Sequence, residues 1–123
     1  MSANSHKQVL VILSRSPYEG SLAREALDYC LAAAAFEQDL QLLFTGDSVL
    51  QLLKDQQPEG ILQKNLSKTL SVLPVYGVEK LYVEQEALTR YGIKEDQLCL
   101  PVLPVTAIQM AELLALATVT LNF

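Results

Sequence analysis

Histidine is almost missing from this sequence and cysteine is scarce, and each shortage closes off a class of chemistry. The single histidine, His6, stands in the polar segment Met1-Ser2-Ala3-Asn4-Ser5-His6-Lys7. One histidine at that place rules out Ser-His-Asp and Cys-His catalysis and argues against a His-ligated metal. The two cysteines, Cys30 and Cys99, form no C-x-x-C pair, which fits a reducing compartment better than a disulfide framework. Neither G-x-G-x-x-G nor G-x-x-x-x-G-K-[ST] occurs, so a dinucleotide or nucleoside triphosphate cofactor is not expected. Positive charge is thin as well. Nine Lys and Arg are scattered against fourteen Asp and Glu, for a formal charge of −5. No concentrated basic face exists to neutralise phosphates, so direct nucleic-acid binding is not expected. No apolar run approaches the ~18 residues that span a bilayer, and the amino-terminal segment lacks the apolar core of a signal peptide. The expectation is a cytoplasmic protein with no membrane partner and no resident metal or cofactor.

What is present is apolar material in ordered blocks. Half of the 123 residues are hydrophobic, enough for one domain spanning 1–123 with a core of its own. Strand-length apolar runs alternate with segments of helical period, the pattern of a mostly parallel sheet covered on both faces. Val9-Leu10-Val11-Ile12-Leu13 reads as a central strand buried on both sides. Ser21 can cap a helix to about Phe36, with Leu22, Ala26, Tyr29, Ala33 and Phe36 at spacings of three and four. Leu40-Gln41-Leu42-Leu43-Phe44 reads as the second strand, and Asp47 as the cap of a short helix through Leu53. After a polar loop from Lys54 to Gly60, a partly helical stretch runs from Ile61 to Leu73, with Asn65 or Ser67 as cap. Lys80-Leu81-Tyr82-Val83 is the third strand, and Glu84 to Tyr91 a short helix closed by Gly92. Leu98-Cys99-Leu100 reads as a brief fourth strand ended by Pro101. Thr106-Ala107-Ile108-Gln109 matches a capping box. The alternation Thr118-Val119-Thr120-Leu121-Asn122-Phe123 predicts a last strand with one face buried. The fold class is therefore α/β, a single doubly wound domain of about five strands.

Such folds place ligands beyond the carboxyl ends of their strands. Here that crevice falls at Ser14-Arg15-Ser16-Pro17-Tyr18-Glu19-Gly20 and Thr45-Gly46-Asp47, with Arg15 or Arg24 available to an anion near Ser21. Loop solvation and ion pairing within the helix, such as Arg24 with Asp28, account for the same charges. Cys30, between Tyr29 and the alanine run, reads as a buried apolar residue. Cys99, ahead of Pro101 and Pro104, is the more open of the two and the one candidate for a reactive thiol, although burial accounts for it too.

The last quarter is distinctive. From 97 to 123 the only charged side chain is Glu112. Ile108, Met110, Leu113, Leu114 and Leu116 wrap most of the way round the final helix, which must then be covered on more than its sheet-facing stripe. These five residues are the candidate partner interface, in a chain expected to self-associate or aggregate when expressed alone.

Three stretches resemble the DsrE/DsrF/TusC sulfur-relay family across essentially the whole chain. The first is the loop 14–20 followed by Arg24-Glu25-Ala26-Leu27-Asp28. The second is Asp47-Ser48-Val49-Leu50-Gln51-Leu52-Leu53, similar to a D-G-V-x-Q-L-L stretch, with Ser48 in place of the usual glycine. The third is the terminal alternation ending in Phe123. The length and the Q-L-L stretch favour the TusC type over DsrF. The resemblance implies a DsrE-like fold and a heterohexamer with related small α/β subunits, TusB/TusD-like or DsrE/DsrH-like. In the TusBCD form the family relays persulfide sulfur toward 2-thiolation of the tRNA wobble uridine; in the DsrEFH form it serves sulfur oxidation. The sulfur-accepting cysteine belongs to the DsrE or TusD subunit, in a loop whose counterpart here is expected around Tyr76-Gly77, within the cysteine-free segment Leu73-Pro74-Val75-Tyr76-Gly77-Val78-Glu79. The implied role is a non-catalytic structural subunit. The alternatives are a DsrF-like subunit, a small sulfurtransferase using Cys99, or a ligand-binding module with its crevice near Ser16.

Overall fold

Alternation between two apolar faces organises the chain, and in the computed structural model it produces five parallel strands. The structure describes residues 8–14, 25, 28–30, 32, 39–53, 70, 72–78, 80–98 and 101–123. Strands β1 (Gln8–Leu13), β2 (Asp39–Phe44), β3 (Lys80–Glu84), β4 (Leu103–Val105) and β5 (Val119–Asn122) lie in the order β4-β3-β2-β1-β5. Every ladder is parallel, with Val9 beside both Leu40 and Val119, and Leu42 beside Leu81. β1 is the central strand the apolar run predicts, with Val9, Leu10, Val11 and Leu13 all buried.

The chain steps one strand at a time from β1 to β4 and then returns across the sheet to place β5 on the other side of β1. With crossovers of one hand, this reversal puts the last connection on the opposite face from the earlier ones. Two unequal cores result. The larger takes Val9, Val11, Leu13, Leu40, Leu42, Phe44, Leu81 and Val83 from the strands and packs them against Cys30, Leu70, Leu73, Ala87 and Leu88. Helix α1 (Gln85–Tyr91) contributes Ala87 and Leu88 to this core. The smaller takes Leu10, Leu43 and Val105, with Met110, Leu113 and Ala117 packed over them. Helix α2 (Ala107–Leu116) supplies Met110 and Leu113 and lies alone on this face among the described residues. Each fully buried Leu or Phe contributes about 1.5–3 kcal/mol, so most of the stabilisation resides in the larger core.

Local signals hold where backbone chemistry decides them. Gly92 ends α1 at φ 66°, and its N–H reaches the carbonyls of Leu88 and Thr89. The capping box opens α2 in both halves: the Gln109 N–H donates to Thr106 Oγ1 at 3.2 Å, and the Thr106 N–H donates to Gln109 Oε1 at 2.8 Å. Of the helix expected from Ser21 to Phe36, the described residues Glu25, Asp28, Tyr29, Cys30 and Ala32 are helical, as are Leu70 and Val72 in the stretch expected from Ile61. The cap candidates Ser21, Asn65 and Ser67 and the loop 54–60 lie outside the described residues.

Three expectations require correction. The fourth strand is Leu103–Val105, later than expected; of the expected Leu98-Cys99-Leu100, Leu98 makes an isolated antiparallel bridge to Leu53, and Cys99 and Leu100 lie outside the described residues. Pro104 is accommodated there because β4 is a sheet edge, with a strand partner on one side only. Asp47 does not cap the segment after β2, which is a 3-10 helix from Gly46 to Leu52 preceded by Thr45. Gly46 turns the chain at φ 52°, one residue sooner than a cap at Asp47 requires. β5 is less covered than its alternation suggests. Leu121 and Phe123 are half-buried against the main core, whereas Val119 is 36% exposed, because an edge strand has a neighbour on one side only.

Candidate functional site: the carboxyl ends of the strands

All five strands run the same way, so their carboxyl ends meet at one end of the sheet. At the end of β1 the Leu13 carbonyl accepts the Thr45 N–H at 2.9 Å and Thr45 Oγ1–H at 3.1 Å. Ser48 is fully buried, and its Oγ lies 2.7 Å from both the Leu13 and the Thr45 carbonyl oxygens, so its single proton is shared between them. Ser48 thus ties β1 to the turn after β2. Ser14 binds the far end of β5 through its N–H and its hydroxyl, each 3.1 Å from the Phe123 carbonyl.

On the other side of β2, the Gly46 N–H donates to Glu84 Oε1 at 2.9 Å. Glu84 closes β3, and this bond orients its carboxylate over the crevice. A cavity of about 300 Å³ opens beside it between α1 and α2, lined by Glu84, Glu86, Thr89, Thr106 and Met110 among others. Its polar groups are carboxylates, hydroxyls and an amide; the lining holds no thiol, imidazole or cation. Such a wall can accept hydrogen bonds, but it holds no thiolate, the group that sulfur transfer needs. Among the described residues no cluster of three or more His, Cys, Asp or Glu could hold a metal ion.

A second tether joins the 3-10 helix to α1. The Tyr91 hydroxyl donates to Asp47 Oδ1. This bond, with desolvation and the negative charge of Asp47, raises the Tyr91 pKa above its ordinary value of 10.0.

The described cysteine, Cys30, is buried in the larger core, and desolvation pushes its thiol up to about 12. At neutral pH it is protonated and shielded, the inert role its position beside the alanine run predicts. Cys99 lies outside the described residues, as do Arg15, Ser16, Tyr18, Glu19, Ser21 and Arg24. Of the predicted crevice, Ser14, Thr45, Gly46 and Asp47 are brought together as expected. The Tyr76-Gly77 segment is elsewhere: Gly77 closes a 3-10 turn, Pro74–Tyr76, that precedes β3, at the amino end of the sheet and away from the crevice. Sequence reasoning missed Glu84, assigned there to the start of a helix; its place just after the apolar run 80–83 was the available signal. Nothing local signalled the Asp47–Tyr91 pair, which spans 44 positions.

The structure divides the five candidate interface residues. Met110 and Leu113 turn toward the sheet in the smaller core. Ile108, Leu114 and Leu116 face outward, 75%, 46% and 72% exposed. Among the described residues no helix is long and apolar enough to cross a membrane.

Comparison with known proteins gives the same picture from outside. Residues 7–123 match the model of the DsrE/DsrF-like family. A "Protein TusC homolog" of Pseudomonas aeruginosa is 44% identical over 96 residues, 77% of this chain and 81% of that protein. Another "Protein TusC homolog", from Aliivibrio fischeri, is 42% identical over 91 residues, 74% of this chain and 77% of that one. Among solved structures, the ychN protein from E. coli superimposes with a TM-score of 0.82 at 23% identity, over 95% of this chain and 99% of that one. A conserved protein of unknown function from Bacteroides thetaiotaomicron reaches a TM-score of 0.72 at 17% identity, over 100% of this chain and 98% of that one. At these identities the two structures speak to the fold alone.

Proposed function

The chain belongs to the DsrE/DsrF-like family, and from that premise we propose that it is a structural, non-catalytic subunit of a cytoplasmic sulfur-relay complex. The observation that carries this reading is its 42–44% identity, over about three-quarters of its length, with proteins named as TusC homologues. The chemistry of the crevice supports it. A subunit that accepts sulfur needs an exposed, deprotonated thiol, whereas Cys30 is buried and protonated and the cavity beside Glu84 holds only carboxylates, hydroxyls and an amide as its polar groups. Persulfide sulfur then travels on a cysteine of a related small α/β subunit, and the destination that fits the TusC type is 2-thiolation of the tRNA wobble uridine.

In this reading the chain touches neither tRNA nor membrane and works by assembly. Its contribution is the outward face of α2, where Ile108, Leu114 and Leu116 present apolar surface to a neighbouring subunit. Co-expression with the products of the neighbouring genes, followed by native mass spectrometry, tests it. The expected result is a complex with related small α/β subunits in which a sulfane-sulfur adduct forms on a partner's cysteine. Purification without any such partner, or an adduct on Cys99 of this chain, overturns it.

A further inference from the structure

The cavity between α1 and α2 has no task in a purely structural subunit, and its chemistry selects one kind of molecule. Where it meets the sheet stand Glu84 and Val105, a ladder pair at the carboxyl ends of β3 and β4, the place where open parallel sheets take ligands. The rest of the lining comes from Gln85, Glu86 and Thr89 of α1 and from Thr106, Ala107 and Met110 at the start of α2. At about 300 Å³ it falls at the small end of the range for organic ligands, roughly 300–1,000 Å³.

The polarity of this lining is one-sided. Thr89 Oγ1–H donates to the Gln85 carbonyl at 3.2 Å, so toward a ligand the hydroxyl accepts. Glu86 is taken by Arg90 at 3.1 Å, and Lys80 is turned to Asp39 at 3.8 Å. Glu84 is half-buried and has no ion-pair partner among the described residues; its Oε1 accepts the Gly46 N–H, and no described group bonds Oε2. A partly desolvated carboxylate gains from a countercharge and repels acids and phosphates. A guanidinium fork seeks both carboxylate oxygens, one of which Gly46 already holds, whereas an ammonium needs one. Val105, Ala107 and Met110 supply apolar surface for a hydrocarbon stem. We propose that this cavity binds a small primary ammonium on a short apolar stem, its charge at Glu84 Oε2 and its stem against Val105, Ala107 and Met110. The inference rests on the cavity and stands whether or not the chain serves sulfur transfer.

Met1 and Met110 are the only methionines of the chain, so isotope labelling at the methionine methyl groups gives one magnetic-resonance signal from the cavity. The full-length chain is titrated with n-butylammonium chloride, with n-butanol as the neutral isostere and sodium butyrate as the anion. The Met110 methyl signal is expected to shift saturably with the ammonium, at least about tenfold more weakly with butanol, and not with butyrate. Glu84→Gln keeps a carbonyl that accepts the Gly46 N–H but removes the charge; it is expected to weaken ammonium binding at least about tenfold, the loss of one charge-assisted hydrogen bond. Glu95→Gln removes the same charge outside the lining and is expected to stay within about twofold. No saturable shift, an equal response to butanol, or equal weakening by the two substitutions overturns the proposal. If circular dichroism shows Glu84→Gln unfolded, the ammonium and butanol titrations of the native chain decide alone.

Discussion

Two lysines on the outward face of α2 separate assembly from folding. Burying a whole Ile or Leu side chain contributes about 1.5–3 kcal/mol. Ile108 is 75% exposed and Leu116 72%, so about three-quarters of that remains for a partner to gain. Roughly 1–2 kcal/mol each, or 2–4 kcal/mol together, corresponds to about a 30- to 1,000-fold loss of affinity for the double variant Ile108→Lys, Leu116→Lys. The fold itself loses little, because neither residue is part of the smaller core and lysine is a good helix former; the change in unfolding free energy stays within about 0.5 kcal/mol. The assay is co-purification with the partner subunits, quantified by titration, alongside urea unfolding of the variant alone. The lysines also lower the magnitude of the formal −5 charge, so any gain in solubility reflects removal of apolar surface and not greater net repulsion. An affinity loss below about threefold, with unfolding unchanged, refutes the assignment of this face to an interface.

Other consequences are equally specific. Ser48→Ala removes the proton shared between the Leu13 and Thr45 carbonyls, while Thr45 still serves Leu13; a loss of about 1 kcal/mol in urea unfolding is expected, and an unchanged midpoint shows that the hydroxyl contributes nothing. The Cys30 thiol is expected to resist 5,5′-dithiobis(2-nitrobenzoate) in the native protein at neutral pH and to react on unfolding. Because its folded pKa of about 12 lies above the ordinary thiol value of 9.0, its contribution to stability is fully present below pH ~9 and is lost as pH rises toward 12, so alkaline unfolding is expected to be less steep in Cys30→Ala. Asp47→Ala removes the acceptor of the Tyr91 hydroxyl, and the ultraviolet ionisation of that tyrosine is expected to move down toward the ordinary range; an unmoved titration indicates that the tether is not formed in solution.

Much of the architecture is legible in the linear order of residues, because its causes are local. A run such as 9–13 is apolar on both alternating faces and belongs only in the middle of a covered sheet. Gly92, through backbone hydrogen bonds, and the Thr106–Gln109 box, through side chains bonded to backbone N–H groups, mark helix ends within four residues, so three or four letters suffice to read them. The inert character of Cys30 is legible for the same reason: the helical period sets it on the apolar side beside Tyr29.

Tertiary structure decided what depends on neighbours distant in the chain. Whether Leu98 or Leu103 begins the fourth strand turns on which residue meets Tyr82 of β3, and only at an edge is Pro104 acceptable there. The apolar wrapping of α2 states that five side chains seek cover; the position of the helix over Leu10 and Leu43 determines that Met110 and Leu113 find it within the molecule while Ile108, Leu114 and Leu116 do not. The orientation of Glu84 by Gly46 and the link from Asp47 to Tyr91 join residues 38 and 44 positions apart. Periodicity and capping chemistry act over a few residues and can be read from a string, whereas burial at an edge and hydrogen bonds between loops exist only once the sheet has brought those loops together.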